Sequence, residues 1–193
     1  FLSRDLFNLY VTLELLGIAA VSLSALEGGA QARTAAMRDL LASLAGSLAY
    51  LLGVALTYHG AGSVDLSIVG ESFGRAGGAA PTAALVLMTV GLLLKGALFP
   101  LHFWLPSAHG SASAPVSAAL SALVVKGAFF ILLRLWQDAF APATEPLFAL
   151  LAVLGGAGVI WGSLLAIVQV RAKLLIAYST VAQLGYLFLA LPL

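Results

Sequence analysis

Residues Thr82 to Leu105 read TAALVLMTVGLLLKGALFPLHFWL. The run is apolar and matches the roughly 20 residues a helix needs to cross the hydrocarbon core of a bilayer. It nevertheless carries Lys95 in its interior, followed by Gly96 and Pro100. A charge near the bilayer centre costs roughly 2.5–3.5 kcal/mol even on lenient insertion scales, so it comes with a partner, a hydrated cavity or a task. Pro100 has no N–H and removes the usual helical partner of the Gly96 carbonyl. Gly91 and Gly96 permit bending and close approach. The stretch therefore predicts a membrane-crossing helix broken at Gly96 and Pro100, beside a buried lysine. Such breaks persist at membrane depth where they are buried in protein or line water. A proline that a membrane helix merely tolerates is the plainer alternative.

Working outward, similar apolar runs cover about Leu6 to Leu26, Leu40 to Tyr58, Pro115 to Leu135, Pro146 to Val168 and Leu174 to Leu193. Backbone groups cannot be left unpaired in lipid, so each run is read as a helix. The expected fold class is all-α: a polytopic transmembrane bundle of about six spans, 6–26, 40–58, 82–105, 115–135, 146–168 and 174–193, in a single membrane domain over 1–193. The Gly-rich stretch from His59 to Ala80, with Asp65, Glu71 and Arg75, reads as an extramembrane loop. PSAHGSASA, Pro106 to Ala114, reads as a turn-rich connection. Alternating loops put Arg33, Arg38, Arg171 and Lys173 on one side, and Arg4, Arg75 and Arg134 on the other. The positive-inside rule then assigns the 27–39 and 169–173 loops to the cytoplasm, by a margin of one charge. The chain opens on Phe1 and ends at Leu193 in or just after an apolar run, and is read as a piece of a longer polytopic protein.

Composition agrees with a lipid environment. The chain is 62% hydrophobic and 9% charged, against about 25% charged residues in soluble domains. A formal net charge of +1 gives no sign of nucleic-acid binding. Zero cysteines exclude disulfides and Cys-ligated zinc or iron–sulfur sites. Scattered histidines predict no metal site, and no dinucleotide fingerprint or cofactor motif is present.

Glu14, Lys95 and Lys126 each sit alone in an apolar run. Glu14 can neutralise a lysine on another span, which lowers the cost of burying either charge; a static pair gluing helices together is the alternative. Burial makes a lysine release its proton more readily, and an adjacent glutamate opposes this. A changing Glu14–Lys95 distance would thus switch the lysine's hold on its proton. Snorkelling to the interface would explain one lysine, but both lie deep in their runs. Ser117 and Ser121, one turn apart on a common face, suit either a water chain or helix packing. His102 and His109 suit a relay toward the surface, although a solvated loop position is the plainer reading for His109, and His102 could equally be an interfacial anchor. Tyr178, Ser179, Thr180 and Gln183 suggest a hydrated face on the last span, or interhelical hydrogen bonds.

These residues lie in recognisable strings. DLFNLYVTLEL (Asp5 to Leu15), LLLKGALFPLHFWLPSAH (Leu92 to His109), SAPVSAALSALVVKGAFFILLRLW (Ser113 to Trp136) and VRAKLLIAYSTVAQLGY (Val170 to Tyr186) resemble, in order and spacing, the antiporter-like subunits of respiratory complex I, membrane-bound hydrogenases and Mrp-type sodium/proton antiporters. The resemblance implies an inverted-repeat transporter fold of which this chain supplies the middle helices. It makes Glu14 and Lys95 the coupling pair and Lys126 the central relay. Ser121 stands where some members carry a histidine. The family's further ion-path residue on a late helix lies outside this sequence.

The expected function is proton translocation by an antiporter-like subunit of a multisubunit complex, complex I-like or related, through Glu14, Lys95, Lys126 and water. The relay candidates are His102, Ser117 and Ser121. Any NADH or hydrogen chemistry would occur in partner subunits, so the chain would be a translocase subunit without redox chemistry of its own. The implied partners are other membrane subunits, the lipid bilayer, and protons or sodium. The expected location is a bacterial inner membrane. The alternatives are an Mrp-type cation/proton antiporter subunit and a structural membrane anchor.

Overall fold

A computed structural model of the chain describes residues 2–26, 28–76 and 78–190, with side chains at all of these but 74–76 and 141–146. The side chain of Arg75, and Leu193 at the end of the last run, therefore lie outside the described residues. The described residues form helices: α1 (Leu6–Ala25), α2 (Gly29–Ala61), α3 (Leu66–Ala76), α4 (Ala79–Lys95), α5 (Leu105–Ser111), α6 (Ala114–Ala139), α7 (Ala141–Ile167) and α8 (Ala172–Leu189). Among them α1, α2, α6, the Leu147–Ile167 part of α7, and α8 are long and apolar enough to cross a membrane. The 17-residue α4 is apolar but shorter, and it is followed by the break and α5. Large apolar side chains such as Leu15, Val153, Ile160 and Ile167 point outward and remain exposed, as expected where lipid is the solvent.

Several boundaries differ from those read in the sequence. α2 begins at Gly29, not near Leu40, and runs 33 residues. At 1.5 Å per residue this is about 50 Å, well beyond a core of about 30 Å. Arg33, Arg38 and Asp39, assigned to a loop, are therefore helical. The 59–80 stretch contains α3, and Pro106 to Ala114 contains α5. α6 extends four residues past Leu135 and includes two π-helical turns, Leu120–Val124 and Leu135–Ala139.

The starts of α1 and α3 are tied together. Asp5 bridges Asp65, with Leu6 N–H donating to Val64 O and Leu66 N–H to Arg4 O, both at 2.9 Å. Asp5 caps α1 by accepting from Asn8 N–H at 2.7 Å, a satisfied orphan donor. The Ser67 hydroxyl and amide hold the Asp65 carboxyl below its usual range. Arg134 Nη1 donates to Ser3 O at 2.6 Å, which brings the far end of α6 to the same corner. At the opposite end of α2, Arg38 and Arg171 line one open basin. Arg4 and Arg134 thus lie at one end of α2, and Arg38 and Arg171 at the other.

One core gathers Leu9, Leu13, Tyr50, Met88, Leu92 and Trp136 from α1, α2, α4 and α6; a second gathers Trp104, Leu105, Leu120, Val181 and Leu184 around the break. Within the first, the Trp136 indole N–H donates to the Thr89 hydroxyl at 3.0 Å, fully buried. Thr89→Val keeps the shape and deletes the acceptor. The expected loss is about 1 kcal/mol, read by thermal unfolding of the full-length protein in detergent; an unchanged midpoint would mean that the bond contributes nothing.

Candidate functional site

The broken helix positions the site. α4 ends at Lys95, with Gly96 as its C-cap, at the near edge of the expected break. Ala97 adopts φ 51, a left-handed backbone, and the helix has stopped before Pro100 could withdraw a bond from Gly96. Gly96 N–H still reaches Leu92 O at 2.7 Å, and the Trp104 indole N–H donates to Leu94 O at 2.9 Å. The Leu94 carbonyl, which also accepts from Ala97 N–H at 3.2 Å while Leu98 N–H turns to Leu93 O, is thereby satisfied from within the protein, as membrane depth demands. Lys95 sits at the C-terminal end of α4, where the helix dipole favours a cation.

Two glycines bring α4 hard against α2. A Cβ on Gly46 would lie 2.8 Å from Gly91 O, and one on Gly91 2.9 Å from Tyr50 N. Only backbone that close lets Lys95 reach across α2 to α1. Its Nζ lies 2.7 Å from Glu14 Oε1, with the two side chains 6% and 15% exposed. Lys95 also donates to Ser43 Oγ at 3.0 Å. Ser47 Oγ donates to the same Glu14 oxygen. The carboxylate therefore holds the ammonium and a hydroxyl on one oxygen, and the ammonium is held by α1 and α2 together.

The structure thus joins Glu14 and Lys95 directly. Lys126 belongs neither to that ion pair nor to the Arg134–Asp138 pair and is half-buried on α6. α6 touches the site through Val124, which lines the void beside Lys95. Gly96 faces α6 closely, a Cβ there lying 3.7 Å from Val125 O and from Ala128 Cβ. His102 is buried, stacks on Phe99 at 5.5 Å, and its Nδ1 has no partner. His109 is not a solvated loop residue: α5 buries it completely, and its Nδ1 is 2.5 Å from Ser117 Oγ. Ser121 pairs instead with Thr180 on α8 at 3.0 Å. Ser117 and Ser121 therefore serve different neighbours, with the π turn beginning between them at Leu120. Gln183 is exposed.

One buried charge escaped the sequence reading. Asp39 stands on α2, one turn before Ser43 and two before Ser47, and is 4% exposed. The spacing Asp39–Ser43–Ser47 is a helical ladder of polar groups facing Lys95 and Glu14. Extending the Leu40–Tyr58 run by one turn would have revealed it.

Residues 3–193 match the family described as NADH:quinone oxidoreductase/Mrp antiporter, transmembrane. The chain belongs to this family. Among its relatives, NADH-quinone oxidoreductase subunit N of Desulforudis audaxviator (strain MP104C) is 38% identical over 97% of this chain and 38% of its own length. In solved structures, a chain of respiratory complex I from Thermus thermophilus superposes with a TM-score of 0.79 at 35% identity, over 98% of this chain and 40% of that one. A chain of the Mrp complex from Dietzia sp. DQ12-45-1b does so with a TM-score of 0.90 at 26% identity, over 98% and 36%. This antiporter-family chain therefore spans about two fifths of the proteins it matches. It is an integral membrane protein, all-helical among the described residues as the sequence pattern implied.

Proposed function

We propose that this chain carries part of the proton-translocating machinery of an antiporter-like subunit in a multisubunit, complex I-like assembly of a bacterial inner membrane. The observation that carries the reading is the buried Lys95–Glu14 pair at 2.7 Å, set at a helix break between three helices. The pair is poised to change its separation. When Glu14 is close, it holds the ammonium proton in place; when it withdraws, that hold weakens and the proton can move on. Lys126, on the helix packed against the break, receives it. His109–Ser117 and Ser121–Thr180 supply hydrogen-bonding steps on the same helix. Electron-transfer chemistry belongs to the other subunits of the assembly.

The likeness to the Mrp complex supports a second reading, in which sodium moves against protons. Proton movement by the assembled full-length protein in sealed vesicles, with and without sodium, separates the two. The expected result is proton pumping in sodium-free buffer, slowed about tenfold or more by Glu14→Gln, equivalent to ~1.4 kcal/mol in the barrier. An absolute requirement for sodium would favour exchange. Full pumping by Glu14→Gln in an intact complex would overturn the role given to the pair.

A further inference from the structure

Asp39 brings a second carboxylate to the Lys95 site. Its Oδ2 is buried without a hydrogen-bond partner, a costly state for an ionisable group. The hydroxyl that accepts the second bond of Lys95 belongs to Ser43, one helical turn further along the same face. Asp39, Ser43, Gly17 and Lys95 line one narrow void, with Trp104 and Val124 among its walls. Gly17 keeps that void open: a Cβ there would lie 3.0 Å from Ser43 Oγ and 3.7 Å from Lys95 Nζ. Free space beside the ammonium is thus shared with the carboxylate that has an unpaired oxygen. Lysine carries its charge on a flexible four-carbon stem, so the ammonium can cross such a void while its backbone stays fixed.

We propose that Asp39 is the alternate counter-ion of Lys95. When the Lys95–Glu14 bond breaks, the ammonium turns past Ser43 to Asp39 Oδ2. Its charge stays neutralised there, and the Glu14 carboxylate is released to interact elsewhere. No covalent bond changes in this step; one ion pair is exchanged for another. The inference rests on the proton-translocation reading and supplies its second state, because a pair that must separate needs somewhere for the cation to go. Among the described residues, Glu14 from α1, Lys95 from α4 and Asp39 from α2 make up the charge of this cluster, while Arg38, the residue before Asp39, faces the open basin with Arg171.

The test uses the full-length protein in its complex, in sealed vesicles, with assembly followed in parallel. Asp39→Asn is expected to slow pumping about tenfold or more, Asp39→Glu to recover most of it, and Ser43→Ala to give an intermediate rate. A residue that merely packs would not show rescue by the longer carboxylate. Normal pumping by Asp39→Asn, or Asp39→Glu as deficient as Asp39→Asn, would overturn the proposal. Where Asp39→Asn fails to assemble, Ser43→Ala decides: it keeps both carboxylates, and an unchanged rate sinks the exchange. Lys95→Ala in the same vesicles keeps the two readings apart. Lost pumping there with normal pumping by Asp39→Asn removes Asp39 alone; normal pumping by Lys95→Ala removes the translocation reading beneath it.

Discussion

Lys95→Ala in the full-length protein is expected to abolish proton pumping and, at the same time, to lower stability by about 3–5 kcal/mol, the usual cost of stripping one partner from a buried ion pair. Glu14 would keep the Ser47 hydroxyl but lose the ammonium at 2.7 Å. One variant thus confounds transport with folding, and a second separates them. Glu14→Leu combined with Lys95→Met replaces the pair with apolar groups, a change that is often neutral or stabilising in buried pairs. Thermal unfolding of this double variant is expected to return toward the parent, while pumping stays lost. Were the pair only glue between α1 and α4, pumping would return along with stability. That outcome would make the chain a membrane anchor.

The second large effect lies one turn before Lys95. Gly91→Val is expected to destabilise the protein by about 3 kcal/mol or more, at the upper end of overpacking costs. Its Cβ would run into the Gly46 carbonyl and lie 2.9 Å from Tyr50 N, and neither is a side chain that can swing aside. α4 would have to move away from α2, and Lys95 would lose Ser43 with it. Both the unfolding midpoint in detergent and pumping are expected to fall. Val90→Leu, on the adjacent outward-facing position, is the control and should leave both unchanged; equal stability of Gly91→Val would show that the helices can separate without loss.

Much of this site is legible in the residues because charge in an apolar run is rare and costly. Glu14 and Lys95 stand out on that ground alone, and their pairing follows from opposite sign on different spans. The break near Lys95 is legible from Gly96 and Pro100, although Ala97 and the Trp104 indole, which end the helix and satisfy it, carry no such signature. Asp39 is hidden for a different reason. Hydropathy detects immersion in lipid, not helicity, and GAQARTAAMRD (Gly29 to Asp39) is rich in alanine, the strongest helix former, yet polar. α2 simply continues through it. His109 is hidden by small residues: PSAHGSASA resembles a turn, but in membranes small residues mark close helix packing. A Cβ on Gly110 would lie 3.2 Å from Leu174 on α8, so the connection is a packed helix end.

The π turn at Leu120–Val124, closed by Val125 N–H to Leu120 O, settles where Lys126 aims. Each residue of an α-helix advances about 100°, so a uniform helix would place Lys126, nine positions beyond Ser117, about 180° away on the opposite side. The π turn absorbs one residue without rotating the rest of the helix, and the angle shrinks to about 80°. Lys126 is thereby turned toward the flank where Ser117 meets the buried His109. In this helix the extra residue sets azimuth rather than reach.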